Sequence, residues 1–414
     1  MPSRTRPTPS AEAPARLGPR PLGLHLGLAI SAGVGAIAAL PAVRSGLLPW
    51  PPDLATEAAA LGRRLAEVDL ASLSAALVRV QGRRLQEVLQ GIQAYHAHPF
   101  RRDLAPPPVL WREGTTRLLD YGGTGPVAAL FVPSLINRYY VLDLTADQSL
   151  ARWLAQRGVR VLVLDWDAPG KIEAGFDLDD YIAGRLERAV EQAIATVGGP
   201  LALVGYCLGG NLALAAALRR QSDLAGLALL ATPWDFHAGS AGQAGLLALV
   251  EGHLDILLRA FGELPVDVLQ LLFTWLDPQL APRKFRRFAA MPPESAAARG
   301  FVALEDWLND GVPLAPKVAR QCLVEWYGRN LPMQGAWTVL GRPIRPAKLR
   351  LPAFLAIPGN DRIVPPASAL ALAQTLPAAK VVRPRAGHIG MVVGQGGRRG
   401  LWQPLGDWLA ALAK

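Results

Sequence analysis

The ten residues from Leu201 to Gly210 (Leu-Ala-Leu-Val-Gly-Tyr-Cys-Leu-Gly-Gly) constrain this 414-residue chain more than any other segment. A short apolar run ends in Gly-x-Cys-x-Gly and passes directly into a helical pattern. That is the signature of a strand-to-helix turn sharp enough to lift its central side chain into the open: a nucleophile elbow, with cysteine where serine usually stands. Gly205 and Gly209 leave room for such a turn. Sulfur at its tip biases the chemistry. A thiol takes an acyl group from a thioester at little thermodynamic cost, because one thioester replaces another, and passing the group to an alcohol is then downhill. The motif points to acyl transfer ahead of hydrolysis.

The flanking pattern is an alternation of strands and helices. Buried strands are predicted over 127–132 and 159–164, with a helix over 149–157 between them. A long amphipathic helix over 178–197 carries Leu178, Ile182, Leu186, Ala189, Val190, Ala193 and Val197 on one side. After the elbow come a helix over 211–220 and a strand over 227–230. Alternation of this kind predicts a parallel sheet covered by helices. It stops at Pro233 and returns near Leu351, with strands over 354–357 and 381–383 and helices over 367–376 and 402–412. The intervening stretch holds Trp234, Trp275, Trp307, Trp326 and Trp337 and reads as a helical lid.

The expected organisation is therefore a disordered tail over 1–21, an N-terminal helical region over 22–105, a core over 106–232 and 346–414, and a helical cap over 233–345. The class is α/β: an α/β-hydrolase fold with a mostly parallel sheet, a cap insertion and helices at the N-terminus.

A net charge of +10 favours anionic partners, yet no nucleic-acid motif is present, so a nucleic-acid partner is not expected. Cys207 and Cys322 are the only cysteines. A disulfide between them would consume the nucleophile, so free thiols in a reducing, cytoplasmic compartment are expected. Arginines at 4, 6, 16 and 20 precede an apolar stretch over 22–43 interrupted by His25. Three readings stand for it: a membrane- or polymer-surface helix, a helix packed on the body, and a cleaved signal.

A nucleophile needs a base, and the base needs an orienting acid, in the chain order nucleophile, acid, base. Asp361 follows the strand predicted over 354–357, and His388, the only histidine after the lid, follows the last predicted strand. His388 would take the thiol proton, as an ion pair or during attack, and Asp361 would hold the imidazole in the useful tautomer. For the oxyanion, the backbone N–H of Leu208 and that of Leu135, in the loop Pro133-Ser134-Leu135-Ile136-Asn137, are the candidate donors. Cys322 and His237 read as structural. His96 and His98 form no ligand set with nearby carboxylates, so no metal site is expected. Arg283, Lys284, Arg286 and Arg287 suit either the phosphates of a coenzyme A thioester or a solvated helix face.

These residues resemble the polyhydroxyalkanoate synthase family. The resemblance covers about residues 110–414. It rests on Gly-Tyr-Cys-Leu-Gly-Gly at 205–210, Val-Pro-Ser-Leu-Ile-Asn-Arg at 132–138, Val-Leu-Asp-Trp at 163–166, Asp-Arg-Ile-Val-Pro-Pro at 361–366 and Gly-His-Ile-Gly at 387–390. It implies an enzyme that polymerises (R)-3-hydroxyacyl-CoA into polyester, releasing coenzyme A and needing no cofactor. Cys207 would carry the chain, Asp361 would orient and His388 would be the base. It further implies a homodimer working on the surface of polymer granules, nearest to the short synthases that pair with a second subunit. Two positions depart from the family: Arg362 stands where His commonly follows the acid, and Tyr139 where Pro often follows Asn-Arg. A thioesterase or polyester depolymerase with the same triad, and a non-catalytic granule-binding protein, are the competing expectations.

Overall fold

A computed structural model describes residues 15–239 and 241–413. Most of the tail expected over 1–21 lies outside these residues, and 15–21 carries no regular element. The chain divides into two compact units. The larger comprises Arg101–Leu276 and Asp310–Lys414, and the smaller comprises the chain up to Phe100 together with Asp277–Asn309.

The larger unit is built on ten strands: β1 (Val109–Glu113), β2 (Thr116–Gly122), β3 (Ala128–Val132), β4 (Arg160–Asp165), β5 (Leu201–Tyr206), β6 (Gly226–Leu230), β7 (Thr338–Val339), β8 (Arg342–Pro343), β9 (Ala353–Ala356) and β10 (Ala379–Val382). Eight form one sheet in the order β1-β2-β4-β3-β5-β6-β9-β10, while β7 and β8 make a separate hairpin. β1 pairs with β2, and β2 with β4, antiparallel; every other pair in the large sheet is parallel. The central strands read Ala-Ala-Leu-Phe-Val, Leu-Ala-Leu-Val-Gly-Tyr and Gly-Leu-Ala-Leu-Leu and are buried along their whole length. Helices cover both faces, so these strands have no polar face to alternate with.

The sheet extends two strands further than the alternation implied. β1 and β2 precede the strand read as the first of the core. β1 lies at the edge with Val109 and Leu110 exposed, and β2 carries Arg117 and Asp120, so neither reads as a buried run. Their charges are spent locally: Arg117 pairs with the buried Asp165, and Arg160 with Asp120. The helix expected over 178–197 is two pieces, a wide π-helical turn over Asp180–Leu186 and an α-helix over Glu187–Val197, ended by left-handed Gly198. Helix Leu208–Arg219 is buried through Ala217, which its apolar, small-residue sequence permits.

The smaller unit has its own core, formed by Val88, Ile92, Tyr95, Phe285, Phe288, Ala298 and Val302. Thus Asp277–Asn309, read from sequence as part of the cap, packs with the N-terminal helices. Gly91 explains the fit. A Cβ there would sit 2.0 Å from the Phe285 carbonyl oxygen, so only glycine lets helix Leu70–Ala97 come this close to helix Leu280–Ala289. Phe288 and Phe301 stack at 4.3 Å, and the Tyr95 hydroxyl donates to Asp306 at 2.7 Å. Helix Leu22–Ala38 carries no charged side chain and buries only Gly33, with Ile30 and Val34 at least half exposed. No helix among the described residues is long and apolar enough to cross a membrane.

Candidate active site

Cys207 sits between the end of β5 and the start of helix Leu208–Arg219. Its backbone adopts φ 55° and ψ −131°, a conformation that costs a non-glycine residue about 1–3 kcal/mol. The surroundings impose it. The Cys207 N–H donates to the Leu230 carbonyl at 2.8 Å, tying the turn to β6. A Cβ on Gly205 would lie 2.4 Å from the Gly210 Cα, and one on Gly209 would lie 2.1 Å from the Val132 carbonyl oxygen. The glycines therefore let the turn fold on itself and let the end of β3 rest on the first turn of the helix.

Asp361 and His388 come from the loops after β9 and β10. In the Asp361 carboxylate, Oδ1 accepts the N–H groups of Ile363 and Val364, each at 2.9 Å. Oδ2 lies 2.7 Å from His388 Nδ1. Both residues are buried, while Cys207 is half-buried. The Cys207 side chain acts on the imidazole electrostatically. Burial alone would disfavour the imidazolium. Cys207 first, then the hydrogen bond and charge of Asp361, outweigh it and hold the imidazole pKa up to about 10. The structure thus joins Asp361 and His388, 27 positions apart, in one buried pair, and Cys207 is the largest electrostatic influence that raises the imidazole pKa.

The loop 133–137 abuts this site from β3. The Trp166 indole N–H donates to the Pro133 carbonyl at 3.0 Å, and Ser134 Oγ accepts the Ile136 N–H at 3.2 Å. The Ile136 carbonyl accepts from Val312 at 3.0 Å, and Asn137 bridges to Gly311. Among the described residues no acceptor takes the N–H of Leu135. The Leu208 N–H opens its helix and has no intrahelical partner.

Tyr206 escaped sequence reasoning although it lies inside the elbow box. Its ring packs 5.2 Å from the His388 ring and its hydroxyl donates to the His388 carbonyl at 3.3 Å. Burial first, then the charges of Cys207 and Asp361, push its pKa far up, so it remains a neutral donor. Trp166, singled out by sequence only as part of the Val-Leu-Asp-Trp motif, is given no role there.

Several other candidates are committed elsewhere. His237 Nε2 meets the carbonyl oxygens of Tyr327 and Gly328, at the end of the π-helical turn Gln321–Gly328. Cys322 is buried, and burial pushes its thiol up to about 12. His96 and His98 meet the carbonyls of Gly18 and Pro293. Arg283, Lys284 and Arg286 pair with Asp277, Glu305 and Glu87, while Arg287 is exposed. Trp234, Trp326 and Trp337 form a buried cluster in the larger unit, with Trp326 and Trp337 edge-to-face at 4.9 Å. Trp307 is buried in the smaller unit, and Trp275 is exposed.

Comparison with known proteins agrees with this architecture. Residues 130–395 match the model of the alpha/beta hydrolase fold family. The chain is 28% identical over 316 residues to the poly(3-hydroxyalkanoate) polymerase subunit PhaC of Haloferax mediterranei, covering 74% of this chain and 64% of that protein. It is 29% identical over 299 residues to the protein of the same name from Synechocystis, covering 69% and 78%. It is 26% identical over 288 residues to that of Allochromatium vinosum, covering 69% and 81%. The chain belongs to the alpha/beta hydrolase fold family, and within that family it is similar to these poly(3-hydroxyalkanoate) polymerase subunits.

Proposed function

We propose that this enzyme polymerises (R)-3-hydroxyacyl-CoA into polyester through an acyl-cysteine on Cys207. The observation that supports the reading is a cysteine held at the elbow in a strained backbone conformation, together with a buried imidazole whose Nδ1 lies 2.7 Å from a buried carboxylate. The names of the relatives, poly(3-hydroxyalkanoate) polymerase subunits, supply the substrate class.

The two half-reactions use His388 in opposite senses. In the first, the Cys207 thiolate attacks the thioester carbonyl carbon and the carbonyl electron pair moves onto oxygen, facing the N–H groups of Leu208 and Leu135. Collapse expels the coenzyme A thiolate, which takes its proton from the His388 imidazolium. The acylated sulfur no longer carries charge, so the strongest influence holding the imidazole protonated is gone. Neutral His388 then accepts the proton of the incoming hydroxyl as that oxygen attacks the acyl-cysteine; collapse breaks the carbon–sulfur bond, leaving the new ester and returning the Cys207 thiolate beside the imidazolium. Asp361 holds Nδ1–H throughout, leaving Nε2 toward sulfur and substrate. Water would compete with the hydroxyl, and the aromatic cluster of Trp234, Trp326 and Trp337 would help exclude it. The reaction takes the thioester as substrate and uses no cofactor. The polymer surface, a homodimer and a second synthase subunit belong to the same reading; the relatives' names include the word subunit.

The test gives the purified chain 3-hydroxybutyryl-CoA and follows coenzyme A, free acid, polymer and intact protein mass. Coenzyme A release with insoluble polymer and an acyl adduct on Cys207 is expected. Release with free acid alone would assign a thioesterase instead. Turnover retained in Cys207→Ala would remove the sulfur from the mechanism.

A further inference from the structure

The oxyanion donor assigned to Leu135 lies in a loop tied down at its far end, where Ile136 and Asn137 meet Val312 and Gly311, and at its near end through Pro133. Pro133 has no N–H, and Ser134 Oγ is spent on the Ile136 N–H. The rotation of the Pro133–Ser134 peptide plane is set by where its carbonyl points. Among the described residues the donor to that carbonyl is the Trp166 indole N–H, 3.0 Å away and buried. A peptide is planar, so fixing the carbonyl fixes the Ser134 N–H on the opposite edge and limits the direction of the next N–H, that of Leu135.

Trp166 is itself anchored on several sides. It directly follows β4, whose last residue, Asp165, is paired with Arg117. Its carbonyl accepts from Thr115 Oγ1 at 3.1 Å, and its ring meets Tyr181 edge-to-face at 5.5 Å. Tyr181 in turn meets Phe176 at 5.3 Å. Only 4% of Trp166 is exposed, so no water replaces its hydrogen bond.

We propose that Trp166 is a positioning residue for the oxyanion site, its indole N–H clamping the Pro133 carbonyl so that the Leu135 N–H faces the developing oxyanion. The inference rests on the reading of Cys207 as nucleophile, and the experiment separates the two. Alkylation by iodoacetamide forms a sulfur–carbon bond and expels iodide without building an oxyanion. Attack on a thioester builds one. A clamp that serves the oxyanion therefore affects the second reaction and not the first.

In Trp166→Phe, which keeps a ring against Tyr181 and removes the donor, kcat for coenzyme A release from 3-hydroxybutyryl-CoA should fall about 10- to 100-fold. KM should stay within about twofold, and the rate of Cys207 alkylation should match the parent. If this variant does not fold, Trp166→benzothienylalanine introduced at that codon keeps the bicyclic shape and lacks only the N–H. Unchanged kcat, or acylation and alkylation slowed by one common factor, overturns the clamp. A parent chain that keeps its turnover after Cys207 is alkylated overturns the nucleophile instead.

Discussion

Asp361→Asn is the most demanding test of the triad geometry, because the structure dictates how the new amide must sit. Oδ1 accepts two backbone N–H groups, from Ile363 and Val364, both at 2.9 Å. Placing the amide NH2 there would set donors against donors in a site that is 5% exposed, leaving buried N–H groups unsatisfied at about 1–3 kcal/mol each. The asparagine oxygen therefore stays at the Oδ1 position and its NH2 faces His388 Nδ1. To avoid a second clash the imidazole must present an unprotonated Nδ1, which puts its hydrogen on Nε2, toward Cys207. In that tautomer the ring cannot take the thiol proton. The expected loss is about 10⁴-fold in turnover, or about 5.5 kcal/mol of transition-state stabilisation. The assay is coenzyme A release under saturating 3-hydroxybutyryl-CoA, read by chromatography, with thermal unfolding alongside to show that the variant is folded. A folded Asp361→Asn enzyme within tenfold of the parent would refute the orienting role of the carboxylate.

Three further outcomes are expected. In Cys207→Ala the largest influence raising the His388 pKa disappears, so the imidazole, charged up to about pH 10 in the parent, should lose its proton at clearly lower pH in an NMR titration; an unmoved titration would mean that sulfur is not its partner. Gly209→Ala puts a Cβ 2.1 Å from the Val132 oxygen and 2.5 Å from that of Pro133, both backbone, so urea unfolding should show a loss of about 1–3 kcal/mol; a variant as stable as the parent would argue against this close approach. Tyr95→Phe removes the 2.7 Å hydrogen bond to Asp306 in the smaller unit and should cost about 1–2 kcal/mol by thermal unfolding, whereas no change would show that the bond carries no net stability.

Much of the α/β architecture is local information. Continuous apolar runs such as Leu201–Tyr206, separated by helical patterns, can hardly be anything but buried parallel strands. The antiparallel start of the sheet was not legible for the converse reason: β1 and β2 mix charge with apolar residues at an edge, and their charges make sense only beside Asp165 and Arg160. The extent of the cap was hidden too. Nothing in Asp277–Asn309 announces that Phe285 will lie on Gly91, since the two are nearly two hundred positions apart.

The site divides along the same line. Residue type and chain order alone nominate Cys207, Asp361 and His388, because the elbow glycines leave their mark within five residues and an acid and a base must follow. Sequence carries no distance, however. The 2.7 Å contact between His388 and Asp361 and the indole that holds Pro133 depend on neighbouring strand ends meeting in the sheet. Such contacts are set by packing between segments that share no local pattern, so only the folded chain decides them.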